Sequence, residues 1–301
     1  MRLKTVIESV PNFSEGQRGE VISAIVNRVK EVPGAKVLDI SSDPDHNRSV
    51  LTMVGDQDSL KGAILGLFEK AVELIDLTKH QGEHPRMGAV DVVPFVPIKG
   101  ITMDDCISLS KELGEEIAEK FNIPVYFYEE SATREERRNL AHIRKGQFEG
   151  FFEKIKLPEW QPDCGPAKVH PTAGVVAVGA REFLIAYNVN LGTDNLEVAS
   201  NIAKAVRHIS GGLRYVKALG MTMEERKLVQ VSMNLVNYKK TPIFRVFELI
   251  RAEAHRYGVP IVGSEIVGLV PNDALLGAAE YYLQIENFSP SQVIENRLAE
   301  E

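Results

Sequence analysis

Ten consecutive residues, Lys79 to Gly88 (KHQGEHPRMG), place two histidines, a carboxylate, a guanidinium, a proline and two glycines side by side. An imidazole titrates near pH ~6.5, so His80 and His84 are natural candidates for accepting and donating protons at neutral pH. Pro85 restricts His84 to extended backbone, which fixes the direction of its side chain. Glu83 or Asp91 could orient that ring, and Arg86 could hold an anionic substrate. A metalloprotease-type site needs two histidines one helical turn apart with glutamate directly after the first. His80 and His84 are four apart, but Gly82 and Pro85 break such a helix and no third ligand stands nearby, so no metal is expected. Taken alone, the stretch reads equally well as a helix end stopped at Gly82, with basic residues answering the macrodipole.

Further groups invite chemistry. Asp39 closes a short strand, and Asp43, Asp45, His46, Asn47 and Arg48 follow in a polar loop. This reads either as a solvated turn or as a strand-end carboxylate facing a cationic substrate group. Asp163 to Gly174 (DCGPAKVHPTAG) spaces Gly, Pro and small residues so that a planar ligand could approach the backbone, or simply links two halves. It lacks the GKS or GKT end of a phosphate loop, and no GxGxxG follows an expected strand, so ATP and dinucleotides are unsupported. No GxSxG elbow exists for a serine hydrolase.

Composition bounds the rest. A hydrophobic content of 44% with 26% charged residues is that of a soluble globular protein. A net charge of −7 argues against a general nucleic-acid binder, though a small anion needs only a few local Arg or Lys. Cys106 and Cys164, without metal or CxxC spacing, suggest a reduced, cytoplasmic setting. The N-terminus reaches acidic and turn residues too early for a signal peptide, and no run of about eighteen apolar residues could span a bilayer.

The elements that must position these groups follow from periodicity. Thr5 to Asn12 alternates as a strand, and Ser14 with Gln17 forms a capping-box pattern before the apolar helical face Val21, Ile25 and Val29. Strands at Lys36 to Ile40 and Ser49 to Gly55 precede a helix through Leu60, Ile64, Leu67 and Ala71. Pro94 and Pro97 make Asp91 to Ile98 an edge or bent strand. Thr102 and Asp105 cap a further helix, Val125 to Tyr128 is a strand, and charged helical material runs from Thr133 to Lys154. Phe183 onward repeats the strand and helix order, so both halves read β-α-β-β-α-β, an α/β (α+β) fold of ferredoxin-like units. The division falls at 1–180 and 181–301. A cleft between the halves is the expected ligand site.

Several long motifs now stand in order: VPNFSEG (Val10 to Gly16), HNRSV (His46 to Val50), GEHPRMGAVDVVPFVP (Gly82 to Pro97), VGAREFLIAYNVNL (Val178 to Leu191) and VPIVGSEIVGLVP (Val259 to Pro271). Together they closely resemble glutamate formiminotransferase over nearly the whole chain. The resemblance implies transfer of the formimino group of N-formimino-L-glutamate to N5 of tetrahydrofolate, in histidine breakdown. It implies two subdomains with a folate tunnel between their sheets, a homodimer, and no requirement for nucleic acid or membrane. The family's catalytic histidine falls on His84. Its folate segment falls on Gly165, Pro166, Ala167, Lys168, Val169, His170, Pro171, Thr172, Ala173 and Gly174, with Ala173 where vertebrate members carry an aromatic residue. Vertebrate members continue into a cyclodeaminase domain, so a separate cyclodeaminase is the expected partner for the next step.

Chemistry adds roles to that scheme. The formimino group is amidine-like, and Asp39 is the candidate to hold it in its cationic form. Arg48 and Arg86 are candidate clamps for substrate carboxylates. Asn12, Asn188 and Asn190 either hydrogen-bond the substrates or satisfy local backbone. The alternatives are formyl transfer from N-formylglutamate, non-catalytic folate binding, and a metal hydrolase built on His80 and His84.

Overall fold

The chain divides into two compact units, Met1–Arg181 and Glu182–Glu301. Residues 4–300 are described in this computed structural model. The first unit runs β1 (Val6–Ser9), β2 (Asn12–Phe13), α1 (Gly19–Lys30), β3 (Lys36–Asp43), β4 (Arg48–Gly55), α2 (Gln57–Leu74) and β5 (Val90–Lys99). It continues with α3 (Met103–Phe121), β6 (Val125–Glu129), α4 (Leu140–Arg144), α5 (Gln147–Lys154) and β7 (Val176–Ala180). β4 lies between β3 and the β1/β2 pair, and β5 follows, all antiparallel. β7 and then β6 extend the sheet in parallel beyond β5.

Alternation along these strands sorts the two sheet faces. Ile7, Phe13, Leu51, Met53, Val93 and Phe95 are fully or almost fully buried in one core with Ile25 and Val29 of α1 and Leu60, Ile64 and Phe68 of α2. Each such side chain stabilises the fold by roughly 1.5–3 kcal/mol relative to exposure. Intervening residues, including Asn12, Arg48 and Thr52, take the opposite face. α2 starts where the Asp56 side chain accepts from the Ser59 amide, and the expected Thr102–Asp105 capping box opens α3.

Three expectations are corrected. The capping box at Ser14 and Gln17 does not form: α1 begins at Gly19 with Arg18 at its cap, and Glu15 accepts from the amides of Gln17 and Arg18. Ser14 instead donates its hydroxyl to the Gly88 carbonyl at 2.8 Å. β5 is an interior strand despite Pro94 and Pro97, and its pairing with β1 slips between Ile7, opposite Pro97, and Val6, opposite Lys99. The slip accommodates the missing donor. β7 was absent from the periodicity reading, because VAVGA is short, continuous and flanked by irregular chain.

The second unit runs β8 (Ile185–Leu191), α6 (Leu196–Val206), β9 (Val216–Met223), β10 (Leu228–Leu235), α7 (Ile243–Arg256), β11 (Ile261–Val267), α8 (Asn272–Leu283) and α9 (Ile294–Glu300). Its antiparallel sheet has the order β11-β8-β10-β9, the ferredoxin-like arrangement expected from the sequence. Ile185, Tyr187, Val189 and Leu191 bury against Ile202, Val206, Val246 and Ile250 in a separate core. Among the described residues no helix is long and apolar enough to cross a membrane.

Candidate active site

The site is assembled from the tip of the β3–β4 hairpin and the loop between α2 and β5. At the tip, Asp43 Oδ1 accepts from the amides of Asp45 and His46, both at 2.9 Å, and Oδ2 meets His46 Nδ1 at 2.8 Å. Asn47 adopts the left-handed conformation at φ 47°. Its Oδ1 accepts from the Gly16 amide and its Nδ2 donates to the Gln81 carbonyl, each at 2.8 Å. The Asn47 carbonyl accepts from His80 Nε2 at 2.8 Å. Gly82 lies so close to the hairpin that a Cβ there would stand 2.5 Å from the His46 carbonyl oxygen. The glycine is needed for this approach.

α2 ends at Leu74 with Ile75 as its cap, so KHQGEHPRMG is a loop and not the end of that helix. Buried Arg86 anchors it. Its guanidinium binds Glu149 of α5 with both nitrogens, at 2.8 and 2.6 Å, and its Nε donates to His80 Nδ1 at 3.3 Å. Both nitrogens of His80 are therefore committed, Nε2–H as donor and Nδ1 as acceptor, and neither is left to ligate a metal. Asp91 Oδ1 accepts from the Met87 amide at 2.8 Å, and its Oδ2 pairs with Arg144 at 2.8 and 2.5 Å. Neither Asp91 nor exposed Glu83 orients His84 by a hydrogen bond among those present at these groups. Arg48 donates through Nε and Nη2 to Asn12 Oδ1, which fixes its guanidinium.

His84, half-buried, lines a narrow crevice, without room for a water-sized group, with His46, Arg48, His80, Arg86 and Asp91. Its ring centroid is 6.3 Å from that of His46, with the planes at 59°. Burial, then the charges of Arg48, Arg144 and His46, push the His84 imidazole down to about 3, against a small opposing backbone hydrogen bond at Pro85. Burial, with the Arg144 charge, lowers Arg48 to about 10, so it stays cationic at neutral pH. Burial also lowers His80, partly offset by its bond to the Asn47 carbonyl. The arrangement offers an unprotonated imidazole beside a fixed cation, suited to taking a proton from a reactant whose anionic end is held nearby.

The N-terminal subdomain of the formiminotransferase domain matches residues 6–181, and the remaining formiminotransferase domain matches residues 186–298. The chain belongs to the formiminotransferase family. It is 54% identical to the glutamate formimidoyltransferase of Streptococcus pyogenes serotype M1, over 97% of this chain and 98% of that protein. It is 47% identical to the glutamate formimidoyltransferase of Thermoplasma acidophilum, over 98% and 97% respectively. A formimidoyltransferase-cyclodeaminase of Dictyostelium discoideum is 44% identical over 99% of this chain and 56% of that longer protein.

Not every residue singled out for formiminotransferase chemistry gathers at the cleft. His84, Arg48 and Arg86 line it, and Asn12 reaches it through Arg48. Asp39 does not. It is the fourth residue of the eight-residue β3, opposite Thr52 on β4, and not at a strand end. The Gly165–Gly174 segment packs along the loop's far end: the Thr172 carbonyl accepts from Leu77 and the Ala173 carbonyl from Ala89, both at 2.9 Å. Ala173 is 1% exposed and offers no stacking surface. Thr172 lines a neighbouring groove of about 610 Å³, which shares Ser14, Asn47 and His80 with the His84 cleft. Asn188 and Asn190 sit on the helix-free sheet face of the second unit, where Asn188 donates to Glu265 and Asn190 accepts from Gln230. Gln230 and Glu265 escaped the sequence reading, as did Glu149 and Arg144. Their partners are 35 to 77 residues distant in sequence, and no local pattern announces such pairs.

Proposed function

We propose that this protein transfers the formimidoyl (formimino) group from N-formimidoyl-L-glutamate to N5 of tetrahydrofolate, releasing glutamate in histidine breakdown. The observation that carries the reading is the position of His84 on the GEHPRMG loop, lining one crevice with Arg48, whose guanidinium Asn12 fixes. The names of the two near-full-length relatives, both glutamate formimidoyltransferases, point the same way. His84 acts as general acid and base, accepting the proton that the attacking nitrogen must lose. Arg48 clamps a substrate carboxylate. Arg86, already bound to Glu149, contributes by fixing the loop.

Asp39, outside the crevice but opposite Thr52 on the sheet face that also carries Arg48, holding the amidine-like group, Gly165–Gly174 carrying the folate, and Asn188 and Asn190 meeting a substrate edge complete the proposal. So do the folate tunnel, the homodimer, the cytoplasmic location and a separate cyclodeaminase for the following step. These rest on the resemblance and the residue chemistry. Exposed Lys168 gives the folate segment a cation suited to a glutamate-tail carboxylate.

The test is turnover by purified protein with tetrahydrofolate and either N-formimidoyl-glutamate or N-formylglutamate, comparing kcat/KM for the two donors. The formimidoyl donor is expected to win. His84→Ala is expected to lower kcat by about 10²–10⁴-fold while calorimetric tetrahydrofolate binding persists. Full activity in that variant would remove the acid and base assignment, and preference for the formyl donor would change the substrate.

A further inference from the structure

Formimidoyl transfer moves a proton as well as a carbon. As the bond from the attacking nitrogen to the transferred carbon forms, that nitrogen must lose a proton. As the bond from the same carbon to the glutamate nitrogen breaks, that nitrogen must gain one. A single histidine can shuttle between them only by holding the proton as an imidazolium in the interval. One ring must then serve both nitrogens in turn, which a second proton-transfer group beside it would avoid.

A second imidazole stands in the same cleft with the opposite surroundings. His46 Nδ1 lies 2.8 Å from Asp43 Oδ2, and two further backbone bonds fix that carboxylate. Burial, the largest single influence, raises the Asp43 carboxyl, but the His46 amide, ring and charge and the Asp45 amide together outweigh it and hold it below the usual carboxylate range. With Nδ1–H turned to Asp43, Nε2 is the nitrogen left to act. The ring centroids of His46 and His84 are 6.3 Å apart with the planes at 59°, and both side chains line the same crevice, so the two imidazoles stand together at one site. The side chains of His46 and Asp43 are 36% and 52% exposed, giving the pair a route to solvent.

We propose that His46, oriented by Asp43, is the second proton-transfer group of this site: it delivers a proton to the departing glutamate nitrogen while His84 accepts one from the attacking nitrogen. This rests on the formimidoyl-transfer reading. After release of glutamate, His84 returns its proton to His46 directly or through water, so the cycle consumes and yields none. The charged groups around His46 are Asp43 and Asp45 on the hairpin, Arg48 at the start of β4, and His80 and His84 on the loop. Asp91 and Arg86 line the same cleft but are already paired with Arg144 and Glu149.

The test compares wild type, His46→Gln and Asp43→Asn across neutral and mildly alkaline pH, with circular dichroism to confirm folding. His46→Gln is expected to lose about 100-fold in kcat with both KM values within about threefold. Asp43→Asn leaves the His46 ring unheld, so kcat should fall about tenfold with both KM values within about threefold. A His46→Gln enzyme within about threefold of wild-type kcat, or one altered only in KM, overturns the proposal. An Asp43→Asn enzyme with wild-type kcat overturns the pairing role. Wild-type protein without formimidoyl turnover would remove the reaction and this relay together, whereas wild-type turnover with an unaffected His46→Gln removes the relay alone.

Discussion

Burial and the guanidiniums of Arg48 and Arg144 hold the His84 imidazole at about 3, which makes its charge state depend on groups far away in sequence. Replacing Arg144 by Met removes one of those cations and leaves Asp91 uncompensated nearby, and both changes favour the protonated ring. NMR titration of the His84 ring protons in Arg144→Met should therefore show its midpoint moved upward. The same variant breaks the Asp91 pair, whose side chains are 17% and 4% exposed, at a cost of about 3–5 kcal/mol. A midpoint that stays in place would deny Arg144 its influence. The depressed value also links to stability. The unfolded His84 binds its proton below about 6.5 and the folded one only near 3, so stability present above 6.5 is lost as pH falls through that window. His80 and His170 are lowered as well, so the clean comparison is His84→Gln against wild type. The variant should lose less melting temperature between about pH 7 and pH 5.

At the scale of elements, close backbone approaches hold the site together. Gly174 has φ +71°, and a Cβ there would stand 2.1 Å from the Met87 carbonyl oxygen. Gly174→Ala thus forces apart the contact that ties the 165–174 segment to the strand carrying Asp91, and a loss on the order of 2–4 kcal/mol is expected in urea unfolding. An unchanged midpoint and slope would show that the backbone relaxes there at no cost. Much at this scale was legible in advance. The helix through Leu60 and Leu67, the Thr102–Asp105 box and the β-α-β-β-α-β order of each unit were read from periodicity and caps, which are local signals. The misses have a common cause. Ser14 joined Gly88, Pro94 and Pro97 entered an interior strand, and β7 completed the sheet, each through partners distant in the chain.

Over the whole molecule, two cores are separate. Phe13, Phe68 and Phe95 belong to one, Val189, Ile202 and Ile250 to the other. Units of this size fold independently when each has its own core. A fragment spanning Glu182 to Glu301 should therefore give a mixed helix and strand spectrum and unfold cooperatively on heating. A non-cooperative fragment would show that its sheet depends on the rest of the chain.

By itself the sequence determined the secondary-structure order, the paired architecture, the family and the stretch around His84, because hydrophobic period, caps and long contiguous motifs are properties of neighbouring residues. It left the loop's partners undecided. Only the tertiary structure committed Arg86 to Glu149 and both nitrogens of His80 to Arg86 and Asn47, took Asp39 out of the cleft, and set His46 beside His84. The physical reason is that a site's charge and geometry come from atoms a few ångströms apart in space, and here those atoms are tens of residues apart along the chain.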